Sequence, residues 1–289
     1  MERVQELAII RRAYAKQILA AAQIDDPSLE LAFAQVRRED FLGPGPWVIP
    51  RWFGGYLPTP SSDPVYLYID DVVQIIAERH LNNGQPSAHA KWIAGASIKR
   101  GEHVVHVGTG TGYYTAIMSH LVGPSGKVTG IELDADLAAR ATENLLAFAN
   151  VRIINGNGTA TSFEAADVIY VNAGVTRPAD LWLDTLTDGG RLILPLTTNG
   201  GFFANDPVNV QRRGAVFRIE RRTPEFLAQW VSPVGIIPCE GARDETSEAA
   251  LAEAFKKGRW EQVTRLYRNE DVPEERCWLR APGWCLAYD

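Results

Sequence analysis

The chain has 289 residues, of which 46% are hydrophobic, 22% charged and 9% aromatic. A chain of this size buries about three-quarters of the surface its unfolded form exposes, enough for one large core or a main domain with a smaller attachment. The ordinary apolar fraction and a net charge of −6 exclude general disorder. With 29 Lys and Arg against 35 Asp and Glu, no general attraction for phosphates exists and no nucleic-acid partner is expected.

Residues 2 to about 23 place Val4, Leu7, Ile10, Tyr14, Ile18 and Leu19 at helical spacing. Asp25-Asp26-Pro27-Ser28 stops that helix and starts a second, which runs to about residue 36. Residues 41–64 are rich in proline, glycine and aromatics, which predicts an irregular but packed segment. Residues 70–79 fit the strand and helix periods equally poorly, whereas residues 86–98 read as a helix entered at Ser87. From residue 101 the pattern becomes regular. Strands are predicted at 104–107, 127–133, 151–154, 168–171 and 191–195, with helices at 113–121 and 135–149. Repeated β-then-α alternation argues an α/β fold with a mostly parallel sheet covered on both faces. Residues 208–222 hold two β-rich pieces around Arg213-Gly214, which predicts a terminal antiparallel hairpin. Beyond residue 241 the sequence predicts a charged extension with a helix at 248–257. Trp260, Trp278 and Trp284 follow, to pack the extension or to act as an aromatic lid.

The opening residues carry two acids and no long apolar run, and nowhere do 18 apolar residues run unbroken. Neither a secretory signal nor a membrane partner is therefore expected. The three cysteines, Cys239, Cys277 and Cys285, fit neither a disulfide framework nor a zinc pattern. The expectation is a reduced, cytoplasmic, soluble protein. All five histidines lie between His80 and His120, but His103 and His106 fall on opposite faces of a strand, and no metal site is expected.

Three motifs stand at the ends of successive predicted strands. Val107-Gly108-Thr109-Gly110-Thr111-Gly112 lies between a strand and a helix, where glycines let the backbone approach a ligand and the helix start presents free N–H groups. Tyr113 stands where a dinucleotide fingerprint needs its third glycine, which disfavours a nicotinamide oxidoreductase. Glu132, in Ile131-Glu132-Leu133-Asp134, is placed to accept both ribose hydroxyls of an adenosine ligand. The competing role, a helix N-cap, suits Asp134 better. Asn155-Gly156-Asn157-Gly158 is either a plain Asn-Gly turn or an edge at which the Asn157 carbonyl accepts an adenine amino group. Open α/β sheets bind ligands at the carboxyl ends of their strands, and the coincidence of all three motifs there carries the reading.

These motifs resemble those of class I S-adenosylmethionine-dependent methyltransferases, with their Rossmann-like fold. Within that superfamily the chain is most similar to the protein-L-isoaspartate O-methyltransferase family. The resemblance includes Val36-Arg37-Arg38-Glu39-Asp40-Phe41-Leu42, Gly84-Gln85-Pro86-Ser87-Ala88-His89 and Asp188-Gly189-Gly190-Arg191-Leu192-Ile193-Leu194-Pro195-Leu196. It covers about residues 15 to 240. It implies S-adenosylmethionine as cofactor, bound through Gln85, His89, Gly108, Thr109, Gly110, Gly112, Tyr113, Glu132, Asn157 and Gly158. It also implies Ser87 as the active-site serine, and a protein or peptide carboxylate as substrate. A helix-surface role is the alternative for His89. The chain departs from the family at His106 and Asn157, where the family has acids, and in the shortened Gln85-Pro86-Ser87 segment. Three parts are expected: a helical cap with the active-site segment (1–100), a cofactor-binding domain (101–240) and an extension (241–289). The rival readings are methylation of another small molecule or peptide, and cofactor binding without catalysis. Methyl transfer to an ionised carboxylate is an in-line displacement that needs no general base, so the lack of an acid–base dyad is in keeping with it.

Overall fold

A computed structural model describes residues 2–51, 54–199, 214–269 and 271–288. In chain order it begins with α1 (Glu2–Ala22), α2 (Pro27–Gln35), β1 (Val48–Arg51), β2 (Gly55–Pro58), β3 (Gln74–Ile76), β4 (Leu81–Asn82) and α3 (Pro86–Ala96). Then come β5 (His103–Val107), α4 (Tyr113–Val122), β6 (Lys127–Glu132), α5 (Ala135–Asn144), β7 (Val151–Asn155), β8 (Ala166–Val171), α6 (Asp180–Thr185) and β9 (Leu186–Thr197). The rest is β10 (Gly214–Arg222), β11 (Glu225–Pro233), α7 (Glu245–Lys257), β12 (Arg265–Arg268), β13 (Cys277–Ala281) and β14 (Trp284–Ala287). Two compact units result, one of residues 1–101 and 109–155, the other of residues 102–108 and 156–289.

In the first unit β6 and β7 pair in parallel from Val128↔Val151 to Glu132↔Asn155, and α4 and α5 pack on them. Helix α2 starts where the sequence puts it: Asp26 accepts from the Ser28 and Leu29 amides, and Pro27 takes the first turn. Tyr14 of α1 and Phe33 of α2 pack edge to face, and Phe33 and Phe41 both meet Tyr113 of α4. The proline-rich stretch is packed: β1 and β2 form an antiparallel ribbon, and Leu42, Trp47, Ile49, Leu67 and Val73 share a buried cluster. The ambiguous residues 70–79 become the short strand β3, paired with β4, and a 3-10 turn that ends at left-handed His80. Neither regular period is sustained there, which is why the sequence was indecisive. Helix α3 begins at Pro86 rather than Ser87, because proline's fixed φ suits the first helical position.

The second unit carries strands in the order β13-β14-β12-β11-β10-β9-β8-β5. Strands β5, β8 and β9 run parallel, and each later neighbour is antiparallel. The expected antiparallel hairpin is present, with its turn placed differently. The observed one joins β10 to β11 through Thr223-Pro224, and residues 208–213 lie outside the described residues. Gly214 is no turn: it pairs with Thr197, and a Cβ on it would come within 2.6 Å of the Leu196 carbonyl oxygen. The extension holds α7 as expected, but also three strands that the sequence reading missed. Trp278 is fully buried between Phe217 and Phe255, and Trp260 meets Phe255, so these tryptophans pack the unit. Among the described residues no helix is long and apolar enough to cross a membrane.

Candidate active site

The candidate site in the first unit is built around Glu132. It ends β6, is 8% exposed, and meets two backbone donors: its Oε2 accepts from Gly110 N–H at 2.7 Å and its Oε1 from Asp134 N–H at 3.1 Å. Asn155 Nδ2 donates to the Glu132 and Leu133 carbonyls and fixes the strand end. Burial raises the Glu132 pKa above the usual glutamate range, and the two N–H donors only partly oppose the shift. Asp134 is the α5 N-cap, accepting from the Asp136 and Leu137 amides, which agrees with the division of roles read from the sequence.

The glycine turn carries Gly110 and Gly112 at φ +58° and +99°. A Cβ on Gly110 would meet nothing within 4 Å, so open space lies beside a backbone N–H that points at the buried carboxylate. Gly112 caps α4 without any side-chain hydrogen bond, and Asn144 holds the turn through the Thr111 carbonyl. Thr109 and Tyr113, both assigned to the cofactor by resemblance, have buried side chains. Thr109 Oγ1 donates to the Ile131 carbonyl, and Tyr113 lies among Phe33, Phe41 and Tyr114.

Also in this unit is the Gln85–His89 segment at the start of α3. The Asp70 carboxylate accepts from Ser87 N–H at 2.9 Å and from Gln85 Nε2 at 3.4 Å. Ser87 is half-buried and Gln85 exposed. His89 is 1% exposed and stacks on Tyr114, with ring centroids 3.7 Å apart. Tyr114 Oη donates to the Gly84 carbonyl. The Asp70 loop is itself clamped by the fully buried Arg38, whose guanidinium donates to the carbonyls of Leu67, Ile69 and Asp71 and to Asn83 Oδ1. Sequence reasoning missed Asp70, Tyr114 and the role of Arg38; the only signal was Arg38's presence in the Val36–Leu42 motif.

In the second unit, Asn172 donates its N–H to the Val107 carbonyl and its Nδ2 to the Gly108 carbonyl. Asn157 is half-buried, and its Oδ1 accepts from both the N–H and the hydroxyl of Thr159. That carbonyl, assigned to adenine from the sequence, thus closes its own turn. Trp182 Nε1 donates to the Gly158 carbonyl. His106, where the family has an acid, is fully buried edge-on to Tyr170, and burial lowers its pKa to about 3.

The sequence model of the protein-L-isoaspartate(D-aspartate) O-methyltransferase family matches residues 55–223. The chain belongs to this family. A protein-L-isoaspartate O-methyltransferase of Thermotoga maritima is 28% identical over 206 residues, 69% of this chain and 56% of that protein. One of Ignicoccus hospitalis is 32% identical over 157 residues, 53% of this chain and 69% of that protein. The chain therefore spans little more than half the length of the Thermotoga relative. A solved protein-L-isoaspartate O-methyltransferase superposes with a TM-score of 0.64 at 25% identity, covering 89% of this chain and 73% of the other. A Plasmodium falciparum chain, provisionally assigned to the same activity and crystallised with S-adenosyl-L-homocysteine, superposes with a TM-score of 0.60. At 19% identity, covering 80% of this chain and 98% of the other, it speaks to the fold alone. The fold is the Rossmann-like class I methyltransferase fold of the isoaspartate methyltransferase family, with a parallel core and antiparallel C-terminal strands.

Proposed function

We propose that the protein is an S-adenosylmethionine-dependent methyltransferase that O-methylates the carboxylate of L-isoaspartyl residues in proteins or peptides. The observation that carries the reading is the buried Glu132 carboxylate facing Gly110 N–H, with open space where a Gly110 side chain would stand. A carboxylate at that strand end suits a ribose diol, which offers two O–H donors to two acceptor oxygens. The backbone at Gly108, Gly110 and Gly112 suits a ligand that must lie close to the chain. Asn157 enters the proposal as a separate adenine contact, through whichever face Thr159 leaves open. S-adenosylmethionine, when bound, supplies an electrophilic methyl group on a sulfonium centre.

The chain's own residues then have few tasks. An acceptor carboxylate is ionised at neutral pH, so no residue must remove a proton. Ser87 orients the acceptor through its hydroxyl, and the start of α3 is held by Asp70 and by Tyr114 through Gly84. Proximity and alignment in a water-poor pocket supply the rate. The net negative charge supports a protein or peptide substrate rather than a nucleic acid.

One observation favours a second reading. Asp70 already places a carboxylate on Ser87 N–H, the position a substrate carboxylate would want, and so favours an acceptor without negative charge, such as a small molecule. One experiment separates the two. Labelled S-adenosylmethionine is offered with paired peptides identical except for one isoaspartyl or one aspartyl linkage. Base-labile label on the isoaspartyl peptide alone is the expected result; label on neither, with cofactor binding demonstrated, overturns the repair activity.

A further inference from the structure

The C-terminal strands hold a second piece of chemistry. Cys277 and Cys285 lie on antiparallel neighbours β13 and β14, in a buried cluster with Val272 and Ala287. In simple register Cys285 faces Arg280, but an irregularity between Cys277 and Leu279 brings the Cys277 side chain to the Cys285 side chain. The two Sγ atoms are 2.7 Å apart. A disulfide bond is about 2.05 Å long, so the gap left to close is well under 1 Å. Arg280 Nη2 donates to Cys277 Sγ at 3.3 Å and holds that sulfur beside its neighbour. Both cysteines are buried, and a cavity of about 320 Å³ beside this hairpin is lined by Arg280, Pro282, Trp284 and Cys285. Cys239 lies in another segment and takes no part in this arrangement.

We propose that Cys277 and Cys285 form a dithiol modification site, oxidised by a small neutral disulfide that enters this cavity. The Cys285 thiolate attacks one sulfur of the reagent, forming a mixed disulfide and expelling one thiolate. The Cys277 thiolate, held beside Arg280, then attacks Cys285 Sγ and expels the second. The protein loses two electrons and becomes cross-linked, the reagent gains them, and the two protons leave with two molecules of reagent thiol. The cross-link fastens β13 to β14, which in turn pairs with β12.

The test uses the full native chain and bis(2-hydroxyethyl) disulfide, followed by alkylation, trypsin without reductant, and mass spectrometry. Cleavage after Arg276 and Arg280 separates the two cysteines, so the cross-link appears as the peptide of residues 277–280 joined to that of residues 281–289. The joined pair is expected at least tenfold in excess over hydroxyethyl adducts at either cysteine, with Cys239 unlinked. Cys277→Ser is expected to trap the adduct on Cys285. Separate adducts on both cysteines of the unaltered chain, or no reaction where the urea-unfolded chain reacts, overturns the proposal.

Discussion

Substituting alanine at Gly110 and at Gly112 separates cofactor binding from folding. Both residues have positive φ, which costs an L-residue about 1–2 kcal/mol. At Gly110 the new methyl group meets nothing, so strain is the whole cost, and the melting temperature is expected to fall by roughly 2–3 °C. At Gly112 the methyl group would lie 2.7 Å from Leu145 Cδ1 and close to Phe41, adding an overpacking cost of about 1–3 kcal/mol. A fall of roughly 3–8 °C follows there. Affinity is expected to move the other way. The Gly110 methyl group occupies the open space beside the Glu132 carboxylate, so Gly110→Ala weakens S-adenosyl-L-homocysteine binding at least tenfold, about 1.4 kcal/mol, while the protein stays folded. Differential scanning fluorimetry and isothermal titration calorimetry, run where both variants are folded, measure the two quantities. Affinity within twofold of the unaltered protein in folded Gly110→Ala would refute the cradle assignment. A fall in melting temperature equal to that of Gly112→Ala would refute the packing argument.

Glu132→Gln removes the charge while keeping the shape, and at pH 8 is expected to weaken S-adenosyl-L-homocysteine binding tenfold or more. Because burial raises the Glu132 pKa, affinity in the unaltered protein should drop on acidification at a higher pH than an ordinary glutamate would cause, and the variant should show no such drop. In the ligand-free protein the same raised pKa favours the protonated carboxyl. Its stabilisation is complete below the unfolded pKa and is lost as pH rises through the folded one, so Glu132→Gln should gain in relative stability toward alkaline pH. His106 works in the opposite direction. With its folded pKa lowered to about 3, its contribution is present above pH 6.5 and lost as pH falls. The loss amounts to as much as about 4 kcal/mol by pH 3. Urea unfolding of His106→Phe across this window should show a flatter acid limb, and an unchanged limb would remove the buried neutral histidine from the account.

What was readable in the sequence is what local chain geometry specifies. The glycine turn, Glu132 at the strand end and Asp134 as the following N-cap all lie within a few residues of a strand terminus, and their positions follow from strand–turn–helix geometry alone. The acceptor-side segment was less legible because its supports come from far along the chain. Arg38 reaches carbonyls 29 to 33 residues away, and Asp70 meets Ser87 across 17 residues. An arginine in a 3-10 turn carries no local mark of being fully buried, and tertiary packing alone makes it the clamp of the Asp70 loop. The C-terminal strands were missed for a related reason. Strands β12 to β14 are four or five residues long, too short for alternation to stand out, and they become strands only by pairing beside β11. His89 and Tyr113 mark the boundary between the two kinds of reading. His89 ends one quoted motif and Tyr113 follows another, yet each turns its ring into an aromatic cluster. Motif membership specifies where the main chain goes; the packing of α1, α2 and α3 around Tyr113 and Tyr114 decides which way the neighbouring rings turn.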